Sequence, residues 1–143
     1  MPRSIILAKL ALSLVAFWWA SLISLGAWIV PSLFSHAPSK AIAGNLAATL
    51  FSGQTWLTLF CCLTLLALSN SEHLRGNNWL KNSQKGLILG MLTAFLLEYW
   101  IAPKIVQRES LMLWHSLGTA MFVIQCLCAS WVFFKIPFTL DTK

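Results

Sequence analysis

The chain has 143 residues, of which 58% are hydrophobic and 10% charged. This length bounds a single domain, and the composition is far from that of a soluble globular protein, which carries far more charge. The net charge is +6, but the basic residues flank apolar runs instead of forming a stripe of their own. That placement argues for a lipid surface and against nucleic acid as partner.

Four apolar runs follow one another: Leu10 to Val30, Ala41 to Ser69, Gly86 to Ala102 and Leu111 to Phe134. The first, second and fourth hold no Asp, Glu, Lys or Arg, and the third holds only Glu98. Crossing ~30 Å of hydrocarbon takes roughly 20 helical residues, so three runs qualify outright and the third qualifies with Ile105 and Val106 added. None alternates apolar with polar residues as a membrane β-barrel strand must. The reading is an all-α integral membrane four-helix bundle, a single domain with spans at about 10–30, 41–69, 86–106 and 111–134 and a polar connector over 70–85.

Arg3 and Lys9 precede the first run in the manner of a signal peptide, but the run is too long for an h-region and lacks a small-residue cleavage site. It reads as a retained helix. Phe17, Trp18 and Trp19 fall near its middle. Ser21 and Ser24 can share a face where a neighbouring helix comes close. The run closes on Trp28-Ile29-Val30-Pro31, with Trp28 as an interfacial anchor, and the connector Pro31 to Lys40 includes His36. A histidine there is most simply solvated, with ligand binding as the alternative.

Ser39 is placed to cap the second helix. Asn45, Thr49 and Ser52 form one polar stripe along it, expected to face protein because bare polar groups are costly in hydrocarbon. Gln54 points to the opposite side from Asn45, so this helix is expected to have neighbours on both flanks. Between helices 2 and 3, Glu72, His73, Arg75, Lys81 and Lys85 surround a Gly76-Asn77-Asn78 turn. Its basic residues suit anionic lipid headgroups.

Helix 3 carries Glu98. An ionisable group within a span is by default a functional hypothesis with a partner to be named. Glu98 stands five residues before Pro103, roughly 7 to 8 Å below that end of the helix. Lys104, Arg108 and Glu109 follow in the connector, Ser110 could cap helix 4, and His115 enters that helix to the same depth. Glu98 and His115 can therefore meet if both face the bundle interior. Paired, they could relay a proton, hold a cation or, through His115 and Arg108, pin an anionic headgroup, with Asn45 and His36 at the same end. The plainer alternative is a structural hydrogen bond between helices 3 and 4.

Cys61, Cys62, Cys126 and Cys128 all fall within spans, which argues against a disulfide framework. Adjacent helical residues diverge by 100° and alternate ones by 200°, so neither pair can aim both thiols at one ion, and the four read as small buried hydrophobes. No cofactor is expected; haem on His36 and His115, or copper on His115 and Met112, stay as alternatives.

The phrase Trp28-Ile29-Val30-Pro31 returns as Trp100-Ile101-Ala102-Pro103, 72 positions later. Each copy is expected to end one helix and lead into the next. Both run in the same membrane direction, so a duplication would be parallel, with its axis along the membrane normal. Seven basic residues (Arg3, Lys9, Arg75, Lys81, Lys85, Lys135, Lys143) lie on one side and three (Lys40, Lys104, Arg108) on the other. The positive-inside rule then makes both termini cytoplasmic and turns the two proline corners outward.

The series Trp18-Trp19-x-Ser21, Gly26, Pro31-x-Leu33-Phe34, Pro38, Ala43-Gly44, Phe51, Pro103 and Trp114-His115-Ser116 resembles the bacterial inner-membrane family known as domain-of-unknown-function family 4149. It is similar, more distantly, to the transmembrane-protein-205 family, and in its four-helix plan to copper-resistance D-type membrane domains. The resemblance implies a bacterial inner-membrane location and brings no established catalytic residues. The functional expectation is a non-enzymatic membrane protein that binds or helps move a small ligand or lipid at the outer face. A haem- or copper-holding redox subunit and an accessory subunit of a larger complex are the alternatives. Four helices make a narrow bundle, so a transport pathway would call for a homo-oligomer.

The topology has a direct check. In a background lacking the four native cysteines, a membrane-impermeant maleimide applied to intact cells should modify a cysteine at position 35 and spare one at position 78; the reverse pattern would overturn the orientation.

Overall fold

The computed structural model describes residues 3–72, 78–107 and 110–135, and these are helical almost throughout. Helix α1 (Arg3–Ser24) passes through a wide π-turn (Leu25–Ile29) into α2 (Val30–His36). After a break of three residues, α3 (Lys40–Ser69) returns. The short α4 (Asn78–Asn82) leads into α5 (Gln84–Leu96), a second π-turn (Leu97–Ile101) and α6 (Ala102–Val106). Helix α7 (Leu111–Phe134) completes the described chain. Among the described residues four helical stretches are long and apolar enough to cross a membrane: Arg3–His36, Lys40–Ser69, Gln84–Ile105 and Met112–Phe134.

The prolines do not end their helices, contrary to the sequence reading. Pro31 and Pro103 each sit in the first turn after a π-turn, and the first helix runs on to His36. In a regular α-helix the proline ring collides with the carbonyl four residues back. A π-turn widens the helix at that point, an adjustment that lets membrane helices carry proline. The chain reverses at Ala37, whose backbone is extended, as the residue before Pro38 must be. Ser39 caps α3 as expected, accepting from the Ile42 amide at 3.3 Å. Ser110 does not cap α7 with its side chain; its backbone is left-handed at φ 36°.

The spans pack as a ring in which each touches the next: α1 on α3 and α7, and α5 on α3 and α7. Two antiparallel hairpins thus stand side by side, with Pro31 and Pro103 at one end, the proline end, and Arg3 and Lys135 at the other, the termini end. The core fills the centre and the termini end. Trp18 is fully buried, and its indole donates to Thr58 Oγ1 at 3.1 Å. Around it lie Ala11, Val15, Leu22, Cys61, Cys62, Leu65, Leu87, Cys128, Ala129 and Val132. Trp19 stacks on Phe133 at 4.7 Å and donates to Ser130 Oγ at 2.9 Å.

Small residues set these approaches. A Cβ at Gly90 would stand 2.9 Å from Trp18 Cζ2 and 3.0 Å from Cη2. That indole is hydrogen-bonded and fully enclosed, so it has nowhere to retreat. Gly90→Ala should therefore destabilise the bundle by about 1–3 kcal/mol, the usual effect of overpacking, read as a lower melting temperature in detergent. Gly44→Ala, where a Cβ meets nothing within 4 Å, should leave the melt unchanged.

Candidate functional site: a carboxylate in the second proline turn

The repeated phrase marks a structural repeat longer than its four residues. Leu25 to Ile29 and Leu97 to Ile101 are both π-turns, each followed two residues later by proline. In the first copy the Val30 amide donates to the Leu25 carbonyl, five residues back, and in the second the Ala102 amide donates to Leu97 in the same way. The following residue in each case is proline, which has no N–H. The carbonyls of Gly26 and Glu98, equivalent positions of the two copies, therefore have no donor within their own helix.

The copies differ in what occupies that position. At Gly26 a Cβ would come within 2.6 Å of Phe122 Cε1, so the ring of α7 lies directly against bare backbone. At Glu98 the half-buried carboxylate accepts a hydrogen bond from Ser52 Oγ of α3 at 2.7 Å. Phe51, beside Ser52, meets Phe122 edge-on at 5.2 Å. Gly26, Phe122, Phe51, Ser52 and Glu98 thus form one layer that visits all four spans. On the proline side of it α2 lies against α3 and α6 against α7, each within its own hairpin, while the second π-turn reaches both α3 and α7.

The partner of Glu98 is thus Ser52 and not His115. His115 lies on an exposed face of α7, and among the described residues no ion pair joins it to Glu98. Equal depth along two helices does not fix which way each side chain points, and His115 turns away. Asn45 and Thr49 are also exposed, the Thr49 hydroxyl bonding back to the Asn45 carbonyl at 3.2 Å. Of the expected stripe only Ser52 faces protein. His36 ends α2, exposed, with Nδ1 2.9 Å from the Ser32 carbonyl oxygen. Arg108 and Glu109 lie outside the described residues, as do residues 73–77 and 136–143 of the other connector and the C-terminus.

Toward the middle of the bundle the interior stays polar. Gln54 Nε2 donates to Ser21 Oγ at 3.0 Å, and that hydroxyl donates to the Trp18 carbonyl at 2.8 Å. Thr93 is buried, its hydroxyl 2.9 Å from the Leu89 carbonyl. Gln125 is 2% exposed, and its Nε2 meets no hydrogen-bond partner among the described residues. Sequence reasoning passed over Gln125, although a glutamine within an otherwise apolar span was the available signal. Cys61, Cys62 and Cys128 are buried in the apolar core nearer the termini end.

Apolar helices packed as a ring of four spans define a multi-pass membrane protein of the four-helix-bundle class. Residues 13–113 match the family described as Domain of unknown function (DUF4149). That match covers well over half of the chain, which belongs to this family. No curated protein and no solved structure matches the chain.

A hydrogen bond to a carboxylate between hairpins should be measurable as coupling. Ser52→Ala and Glu98→Gln should each lower thermal stability, and the double variant should lose less than the sum of the two. The interaction energy should be about 1 kcal/mol, within the range found for polar contacts between membrane helices. Strict additivity would mean that the two groups do not act together.

Proposed function

We propose that the protein is a non-enzymatic membrane protein that binds a small ligand or lipid at its proline end. The observation that carries this reading is the Ser52–Glu98 contact: an ionisable group inside a membrane span is engaged by one neutral hydroxyl and by no ion pair among the described residues. Such a group usually marks a substrate or ion site, because without a role its desolvation is an uncompensated cost. The adjoining Glu98 carbonyl, freed by Pro103, adds a second acceptor. His115, Asn45 and His36 stand exposed at the same end, and Arg108 lies between α6 and α7 in sequence. Among the described residues, His115, Asn45 and His36 are the polar groups that a bound headgroup would meet next.

The orientation that goes with this reading places the proline end outside and the termini in the cytoplasm of a bacterial inner membrane. Exposed Arg3, Lys9, Lys81, Lys85 and Lys135 at the termini end support it. They would rest against anionic headgroups of the inner leaflet.

Native mass spectrometry of protein extracted gently from its own membrane provides the test. The expected result is a retained non-covalent adduct that disappears in Glu98→Ala while helix content is preserved. A Soret band or stoichiometric copper would favour the redox-subunit reading instead, and an adduct indifferent to Glu98 would remove this site from consideration.

A further inference from the structure

We infer that the ligand is a lipid with a primary-ammonium headgroup, its ammonium on Glu98 and an acyl chain along the seam between α3 and α5. This deepens the reading above and rests on it. Ser52 and Glu98 join those two spans near the proline end, and the same seam continues below them as an open apolar groove. Leu59, Ile88, Met91, Leu92 and Phe95 line about 270 Å³ of it. Leu59 is seven residues beyond Ser52, and Met91 is seven before Glu98. Two turns of the regular helix α3 bring a residue back to nearly the same face, so Ser52 and the carboxylate bonded to it stand above the groove, about 10 Å from its middle. Phe95, three residues before Glu98, closes the gap between them and is in ring contact with Tyr99 at 4.6 Å.

The level of Glu98 suits a headgroup. Trp28 and Trp100, 76% and 64% exposed, occupy the same position in the two copies of the repeat, and exposed tryptophans settle at the membrane–water boundary. Glu98 is two residues from Trp100, roughly 3 Å along the axis, while the groove lies deeper, at the level of acyl chains. Charge then selects among headgroups. Glu98 keeps lone pairs beyond the one that Ser52 uses, and the freed Glu98 carbonyl is another acceptor. A primary ammonium brings three N–H donors to such a site; a quaternary ammonium brings none, and an anionic headgroup is repelled.

The experiment uses the full chain, delipidated in detergent and offered equimolar phosphatidylethanolamine, phosphatidylcholine and phosphatidylglycerol of identical acyl composition, with adducts counted by native mass spectrometry. Phosphatidylethanolamine should be favoured over phosphatidylcholine by roughly tenfold, the range of a charge-assisted hydrogen bond, and stepwise N-methylation should erode the preference. Glu98→Gln should abolish the preference. Leu59→Trp, which fills the groove and leaves the carboxylate, should lower phosphatidylethanolamine retention, and Ile88→Trp serves the same purpose should Leu59→Trp fail to fold. Equal retention of the three lipids, a preference unmoved by Glu98→Gln, retention unmoved by both tryptophan variants, or a second copy of the chain seated in the seam would each overturn the inference. An adduct from native membranes that depends on Glu98 but is not an amine lipid would overturn it too, while leaving the broader ligand-binding reading intact.

Discussion

The structure depends on how a membrane helix carries a proline. Inside a bilayer every backbone polar group needs a partner, because water is not there to supply one. Pro31 and Pro103 each withhold a donor, and the chain answers both with the same device, a π-turn that keeps the helix continuous and leaves one carbonyl open. An open carbonyl is least costly where headgroups and water reach it. Both turns accordingly sit beside exposed tryptophans at one end of the bundle, and the opposite end, without such turns among the described residues, holds most of the tightly packed core.

The two turns share a backbone and diverge in side chains, and that divergence places the candidate site. In the first copy glycine lets the Phe122 ring close over the turn. In the second the equivalent residue is a glutamate, which reaches across to the other hairpin. A parallel repeat of two equal halves would present two equivalent corners; one is sealed by an aromatic ring and the other carries charge. The difference leaves a carboxylate at one of the two corners and an aromatic ring at the other.

Much of this was legible in the sequence, and the part that was not has a physical cause. Four spans followed from run length, and the repeat announced that two corners were alike. Glu98 stood out as the ionisable group of a span. What periodicity could not give was azimuth. A π-turn takes up an extra residue and rotates everything beyond it relative to what precedes it, so counting from Pro103 gives the depth of Glu98 and not its facing. The same counting suggested His115, which matches in depth and points outward, while Ser52, its actual partner, was visible only as part of the Asn45–Thr49–Ser52 stripe. That stripe failed at its upper end because the first turns of α3 are flanked mainly by the short α2, leaving Asn45 and Thr49 without a covering helix. The prolines misled for a related reason: the rule that proline ends a helix assumes the α-helical hydrogen-bond register, and here the register changes just before each of them.

Helix α3 shows how the polar interior supports the site. Ser52 and Gln54 are two residues apart and so project to opposite flanks. Gln54 is held by Ser21 of the same hairpin, and Ser21 in turn bonds to the backbone of the helix that anchors Trp18. One turn further along, Thr58 accepts the Trp18 indole. The rotation of α3 about its own axis is therefore fixed from the α1 side by two hydrogen bonds and a large enclosed ring. With that rotation set, Ser52 has to face the opposite seam, where Glu98 is waiting. The hydroxyl that bonds the carboxylate is thus aimed by contacts that its own helix makes with α1, on the flank away from Glu98, and this support holds the Ser52–Glu98 contact in place.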